Sequence, residues 1–367
     1  MKVLILLPLR NLENFWKARG TYRYLITIQS HYMSHKAKKI LTPRISIIAP
    51  VLNCERYIAE TIESVIMQTY QNWELIIIDG KSEDKTVEIA LKYAGMHNNI
   101  SVISEKDEGF VHAAEKGLER ARGEFICFLC GQDGFLDKDW FFKCINAFDK
   151  EKDISLVWGL VCGKSEDGSF IYDTNESYIH FLKPRGLLGV MRNIAVKSKD
   201  IVKDLLFAPL YRKKIILKKL FSSGAILRIN SITQKSFPAG QYPQKEDWFL
   251  YWLNTGLVFP DQSLVVSRGV YCVCTPRYIQ GIPNFDNFGN FVFNFNARGY
   301  LPYFIPTYAN FGRDHKGNSG ARVPEKVYGM LKIYFDRIKD LRKKVLRDHE
   351  EVVFRNRGGE IISRKVF

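Results

Sequence analysis

The chain has 367 residues and a formal net charge of +15, with 54 Lys and Arg against 39 Asp and Glu. Its 46% hydrophobic and 13% aromatic content excludes a disordered or low-complexity protein and suffices for one large domain with additions, or for two. The charge predicts attraction to polyanions: phosphorylated substrates, an anionic membrane surface or nucleic acid.

Taken in chain order, residues 1–44 are aromatic and basic without a clear period. Their apolar run Val3–Leu9 is short, is broken by Pro8, and is followed by Arg10, Glu13 and Trp16. That pattern fits neither a secretory signal nor the ~20 residues needed to cross a bilayer. From Arg44 the pattern sharpens. Ile45–Pro50 reads as a strand, and Ile58, Ile62, Val65 and Ile66 recur at helical spacing behind Asn53, a plausible N-cap. Trp73–Asp79 is a second strand, followed by Gly-Lys-Ser-Glu-Asp, in which Ser82 is placed to cap the next helix above Glu83 and Asp84. Ile100–Ser104, Glu124–Cys130 and Ile154–Val161 read as further strands, and Gly109–Ala121 and Lys138–Phe148 as helices. Strands alternating with single helices imply an α/β, doubly wound, mostly parallel sheet flanked by helices.

Between Lys183 and Lys219 eleven Lys or Arg face only Asp200 and Asp204. A last helix near Glu325 carries Val327, Met330, Leu331, Tyr334, Ile338, Leu341 and Val345 on one stripe, with Lys and Arg on the other face. Seven cysteines, an odd number at irregular spacing, predict buried free thiols in a reducing cytoplasm; Cys127 and Cys130 lie inside an apparent strand and Cys272 and Cys274 offer no zinc spacing.

Four loops leave carboxyl ends of the strands with polar residues: Pro50 to Asn53, Asp79 to Asp84, Glu105 to Gly109, and Gly131 to Gly134. Each alone is ordinary turn chemistry. Together they lie where open α/β sheets bind ligands. The last loop ejects one carboxylate, Asp133, beside the uncharged Gln132.

The succession ISIIAPVLNCERYIAETIESVIMQTYQNWELIIIDGKSEDKT, then SEKDEGFVHAAEKGLERARGEFICFL, then an acid, resembles the N-terminal half of a family 2 glycosyltransferase with the GT-A fold. It does so closely over 44–150 and loosely to about 265. The resemblance implies a nucleotide-diphosphosugar donor such as a UDP-sugar. Pro50 and Asn53 would line its pocket, Asp79 would contact the base, and Asp107 and Gly109 would lie under ribose and diphosphate; Ser82, Lys116 and Gln132 would also bind the donor, Gln132 through a ribose or sugar hydroxyl. Where the family has two adjacent acids this chain has Gln132 and Asp133, so Asp133 is the expected ligand of Mn²⁺ or Mg²⁺, whose hard-oxygen preference one carboxylate, diphosphate and water can meet. His112 and Glu115 replace the family's usual Asp and Asn. The resemblance places the base in Pro243–Leu253, as Asp247 with Glu246 beside it at a helix start, and offers Arg268 as a diphosphate contact.

These expectations divide the chain into an extension (1–44), a GT-A domain (45–268, with a donor half 45–150 and an acceptor half 151–268) and an aromatic, basic, helical C-terminal region (269–367). The implied activity is metal-dependent, inverting transfer of a hexosyl or related sugar to a hydroxyl of a glycan or lipid-linked acceptor in polysaccharide or glycoconjugate synthesis. The implied location is cytoplasmic and peripheral at a membrane face. The alternative is a catalytically impaired relative that binds nucleotide or glycan in an assembly complex. No nucleic-acid module is recognisable, so nucleic acid is not an expected partner.

Overall fold

The computed structural model describes residues 42–173, 242–276, 287–313 and 324–367. The expectations for 1–41 and for the basic stretch 183–219 lie outside these residues. Pro43–Phe367 forms one unit.

Its centre is a nine-stranded sheet. Four strands form the first half: β1 (Ile45–Val51), β2 (Trp73–Asp79), β3 (Ile100–Ser104) and β4 (Phe125–Phe128), in the order β3-β2-β1-β4 and all parallel. β1 and β2 are buried at every position. Strands covered on both faces read as unbroken apolar runs, which is why they are plain in the sequence. Successive side chains enter opposite cores: Ile48, Ile76 and Ile126 join one, Ile47, Leu75 and Cys127 the other.

The connecting helices are α1 (Ile58–Ile66), α2 (Thr86–Met96) and α3 (Phe110–Arg120). α1 packs Ile58, Ile62 and Val65 into the second core. α3 lies so close on β1 that a Cβ at Gly117 would stand 2.3 Å from Ile48 Cγ2. Neither expected cap serves its helix. α1 begins after Tyr57 and α2 after Lys85, each without a side-chain cap, because Asn53 and Ser82 are engaged in holding two loops together.

The second half is mixed. β8 (Val265–Ser267) runs antiparallel between β4 and β6 (Ile154–Lys164), and β9 (Leu301–Arg313) runs parallel to β6 on its other side. The short β5 (Gly134–Phe135) closes that edge, β7 (Phe170–Asp173) pairs with β6, and α4 (Trp140–Lys150) precedes β6. The doubly wound α/β expectation therefore holds, with parallel ladders dominating the first half.

Residues 269–367, expected to be helical, contribute α6 (Arg268–Cys274), α7 (Asn287–Ala297) and α8 (Pro324–Leu346), but also the thirteen-residue β9 and a hairpin of β10 (Val352–Arg355) and β11 (Ile361–Lys365). Prolines at 302 and 306 argue against a strand. Here Pro306 falls in the irregular stretch between the Trp158–Phe304 and Leu160–Tyr308 pairs, where no regular ladder bond is required. In α8 the expected stripe buries Tyr334, Ile338 and Val345; the side chains of Val327, Met330 and Leu331 lie outside the described ones. α5 (Lys245–Thr255) places Trp248 and Trp252 in the first core and ends at Gly256, whose φ of +65° suits a left-handed C-cap.

All seven cysteines are free; five are buried as expected, whereas Cys130 is half-buried and Cys272 exposed. No described helix is long and apolar enough to cross a membrane.

Candidate active site

The four loops meet at the carboxyl ends of the parallel strands. Loops one and two are interlocked through backbone and side chain. Asn53, held at φ +49°, donates its N–H to Ser82 Oγ (2.8 Å), and its Oδ1 accepts Glu83 N–H (2.9 Å). Cys54 N–H donates to Thr86 Oγ1 (2.8 Å), Glu55 N–H to Asp84 Oδ2 (3.0 Å), and Lys85 N–H to Glu55 Oε2 (2.9 Å). Side chains thus satisfy the donors that two tight turns would leave open. Pro50 is buried opposite Ile78 at the base of this pair.

Asp79 is fully buried. Its carboxylate accepts from Lys81 N–H (3.1 Å), Ser82 N–H (3.1 Å), the Ser82 hydroxyl and Ser104 Oγ (2.7 Å). Asp79 and Ser82 therefore shape loop two with the groups that the sequence assigned to a ligand. Gly80 leaves room for loop three: a Cβ there would be 2.8 Å from Asp107 Oδ2. Asp107 Oδ1 in turn accepts Gly109 N–H (2.8 Å), and Gly109, at φ +110°, turns the chain into α3. Lys116 donates to the Lys106 carbonyl (2.8 Å) and lies 3.6 Å from Glu105, holding loop three from its own helix. His112 Nδ1 accepts Glu108 N–H at 3.3 Å.

Loop four is the most buried. Asp133 is 5% exposed. Its carbonyl accepts Thr61 Oγ1 (2.7 Å), and its Oδ1 accepts the backbone N–H of Arg313 (3.0 Å) at the end of β9. Oδ2 accepts no hydrogen bond among the described residues. Burial, with the charge of Asp261 adding to it, pushes the Asp133 carboxyl up to about 7, against the opposing effects of the Arg313 N–H and guanidinium. That guanidinium, 3% exposed, donates to the carbonyls of Gln132 (3.3 Å) and Ser165 (3.0 Å), pairs with Glu60, and lies 4.8 Å from the Tyr57 ring centroid. Arg313 thus ties loop four to β6 and α1.

Sequence reasoning missed Arg313 and Asp261. The first is 180 residues from Asp133 with nothing local to mark it. The second sits in Pro-Asp-Gln-Ser, which reads as a turn. β9 brings Arg313 to the metal-site candidate, and the charge of Asp261, in the 3₁₀ turn Asp261–Ser263, acts on Asp133.

Other expected residues lie elsewhere. Arg268 follows β8 at the amino end of β4, where its N–H reaches the Glu124 carbonyl (2.9 Å) and its Nε the Gly123 carbonyl (3.0 Å). It is therefore at the pole of the sheet opposite Asp133, and a diphosphate contact is corrected. Glu246 accepts from the Ser363 hydroxyl and pairs with Lys365 of β11. These partners lower its pKa against the effect of burial, and it is fixed to the C-terminal hairpin. Its neighbour Lys245 pairs with Glu151 and Asp153 (3.0 Å) just before β6, and Gln244 clasps the backbone of Phe304 (2.8 and 3.0 Å). Phe304 pairs with Trp158 and Arg313 with Lys164, a separation of roughly 20 Å along β6. Asp247, exposed at the head of α5, therefore belongs to the lower half of the sheet.

Residues 46–203 match the family described as Glycosyl transferase family 2. The candidate glycosyltransferase EpsH of Bacillus subtilis (strain 168) is 36% identical over 240 residues, 65% of this chain and 60% of that protein. The glycosyltransferase GlyA of Streptococcus pneumoniae serotype 4 is 29% identical over 234 residues, 62% of this chain and 31% of its own length. Among solved structures, S. aureus TarS 1–349 in complex with UDP-GlcNAc aligns at 14% identity with a TM-score of 0.49, covering 83% of this chain and 71% of that one. The chain thus spans less than two thirds of either relative. The segment that matches this family begins within β1 and includes all four loops.

Proposed function

We propose that this protein transfers a sugar from a nucleotide-diphosphosugar to a hydroxyl of a glycan or lipid-linked acceptor, with a divalent ion held at Asp133. The observation that carries this reading is Asp133 itself: a buried carboxylate at the carboxyl end of a central parallel strand, with one oxygen bonded to a backbone N–H and the other left open. A buried carboxylate with open valence is uncommon unless something else completes it.

The donor set fits a hard cation. The open oxygen of the Asp133 carboxylate and the oxygens of the donor's diphosphate are the hard ligands such an ion prefers. Mn²⁺ or Mg²⁺, when bound, supplies positive charge against the diphosphate as it leaves. The chain's own part is positional. Loops one and two form a rigid floor through the Asn53–Ser82–Asp79 bonds. Loop three brings Asp107 against Gly80. Arg313 fixes loop four through the Gln132 carbonyl and the Asp133 carboxylate. Attack by the acceptor oxygen on the anomeric carbon breaks the bond to the diphosphate, which leaves with the electron pair, and the acceptor proton passes to a base. Glu246 is held elsewhere, and Asp247 serves as that base only if acceptor binding brings it to the donor.

The net charge of +15 and the exposed Lys339, Lys343 and Lys344 of α8 support a site of action at an anionic membrane surface. The test of the reading is release of nucleoside diphosphate from a panel of UDP- and GDP-sugars with and without Mn²⁺. Metal-dependent release that disappears in Asp133→Asn supports it. Nucleotide binding without release, with acceptor extracts present, would favour the binding-module alternative.

A further inference from the structure

Gln262 has a firmly held backbone and an idle side chain. It stands in the 3₁₀ turn Asp261–Ser263, which is seated against β6. The Ser263 hydroxyl donates to the Gly159 carbonyl (2.9 Å) and accepts the Gly159 N–H (3.3 Å), and Asp261 Oδ1 accepts the Gln262 N–H (3.0 Å). The Gln262 amide, half-buried, takes part in no hydrogen bond with the described residues. Two other glutamines show what a structural amide does in this chain. Gln68 joins the Asp137 carbonyl (2.9 Å) to the Phe141 N–H (3.1 Å), and Gln244 joins both backbone groups of Phe304 (3.0 and 2.8 Å). Each uses its donor and its acceptor; Gln262 uses neither.

Its position gives the free amide a partner class. A Cβ at Gly312 of β9 would stand 3.2 Å from Gln262 Nε2 and 4.0 Å from Asp133 Oδ1. Both polar groups therefore border the space that a side chain at 312 would fill. The same face of β9 carries a second unpartnered amide. Asn310 lies two positions earlier, in a stretch of regular pairing with β6, so its side chain leaves the strand on the same side. It is fully buried, and neither end of its amide has a hydrogen-bond partner among the described residues. Buried amides are normally satisfied, so this wall has hydrogen-bonding capacity that the chain does not use.

In the sheet order, β4 and β8 separate β6 and β9 from β1, β2 and β3, whose loops form the nucleotide side in the proposed reading. With the diphosphate at the ion on Asp133, a group across from those loops and bordering the same space as Asp133 meets the sugar. The chemistry agrees. Phosphate oxygens only accept hydrogen bonds, whereas a sugar hydroxyl both gives and accepts, as an amide does.

We propose that the Gln262 amide hydrogen-bonds a hydroxyl of the donor's sugar ring and so helps to set which nucleotide-sugar this protein accepts. The proposal rests on the nucleotide-sugar reading and adds recognition of the sugar to it.

The test compares wild type with Gln262→Met, which keeps the length of the side chain and removes the amide. Calorimetry with Mn²⁺ measures binding of UDP and GDP, and of UDP-glucose, UDP-galactose, UDP-N-acetylglucosamine and GDP-mannose; release of nucleoside diphosphate gives kcat/KM for each sugar donor. For the donor that wild type prefers, Gln262→Met should lower affinity and kcat/KM about 3- to 10-fold, while affinity for the bare nucleotide stays within about twofold. Discrimination between UDP-glucose and UDP-galactose, which differ at one hydroxyl, should narrow if either is that donor. The melting temperature should not change, since the amide holds nothing in the chain; a structural role would lower it. Equal loss for nucleotide and nucleotide-sugar, or no loss for any donor, overturns the proposal and leaves the nucleotide-sugar reading standing. A loss seen only with acceptor extracts present assigns Gln262 to the acceptor and overturns it as well. No binding and no release of any of these donors by the wild type overturns both.

Discussion

Two buried carboxylates at opposite ends of the same sheet have been treated in opposite ways. Glu74, 6% exposed near the start of β2, accepts from Ser46 Oγ (2.7 Å), from Arg122 N–H (2.8 Å) and from the Arg122 guanidinium (2.7 and 2.9 Å). Asp133, 5% exposed beyond the end of β4, has one backbone N–H on its carboxylate and a second acid nearby. At the amino pole Arg44 joins Asp149 (2.9 Å) and Glu124 (3.2 Å), Lys245 joins Glu151 and Asp153, and Lys365 joins Glu246. At the carboxyl pole Glu60 pairs with Arg313 and Glu105 with Lys116 (3.6 Å), and Asp79 is satisfied by its own loop, whereas among the described residues Asp133 is in no ion pair. Charge compensated within the chain holds a fold together; charge left uncompensated in a recess waits for a ligand.

The strongest way to break this comparison is to remove each acid and measure both stability and chemistry. Asp133→Asn should reduce metal-dependent nucleoside diphosphate release by at least about a hundredfold, since a bound dication supplies several kcal/mol to such a step. Thermal melting of the metal-free variant should show no loss of stability. Glu74→Gln should do the reverse, lowering stability by about 1–3 kcal/mol, because it leaves a cation and an N–H poorly matched at a buried position, while Mn²⁺ binding stays at the wild-type level.

A pH series sharpens the contrast. The folded Asp133 carboxyl titrates near 7 and its ordinary value is 3.8, so the folded protein holds a proton there that the unfolded chain has released. Its contribution to stability is full below about pH 4 and is lost as pH rises towards 7. In the metal-free protein, Asp133→Asn should therefore raise the melting temperature most at pH 8, by a few degrees, and least at pH 4. Equal shifts at both would contradict the raised carboxyl.

A packing test follows. In Gly80→Ala the new Cβ would meet Asp107 Oδ2 at 2.8 Å and should push loop three outward, weakening UDP or GDP binding several-fold by calorimetry with little change in melting temperature, because Asp107 is only half-buried. The smallest effect is expected at Asp247. Asp247→Asn should leave acceptor-independent release of nucleoside diphosphate within about twofold of wild type. A large loss there would place α5 at the donor and contradict the two-pole arrangement.

Much of the first half of the sheet was legible in the sequence, because β1, β2 and β4 are covered on both faces and appear as apolar runs joined by amphipathic helices. β9 was not, since its two prolines and scattered polar residues carry no period of two. The caps were misread for a related reason. Asn53 and Ser82 have the chemistry of helix caps, yet each found a partner on the other loop, and only the parallel pairing of β1 with β2 puts those loops side by side.

By itself, the sequence determined the alternation of strands and helices, the four polar loops at one edge, and Asp133 as the acid at the end of β4. These are local properties, set by burial pattern and turn chemistry within a few residues. Tertiary structure alone decided which charges are compensated. It brought Arg313 to Asp133 across 180 residues and carried Arg268 and Glu246 to the other pole. Pairing of charges depends on distance through space, to which the order of residues along the chain is no guide.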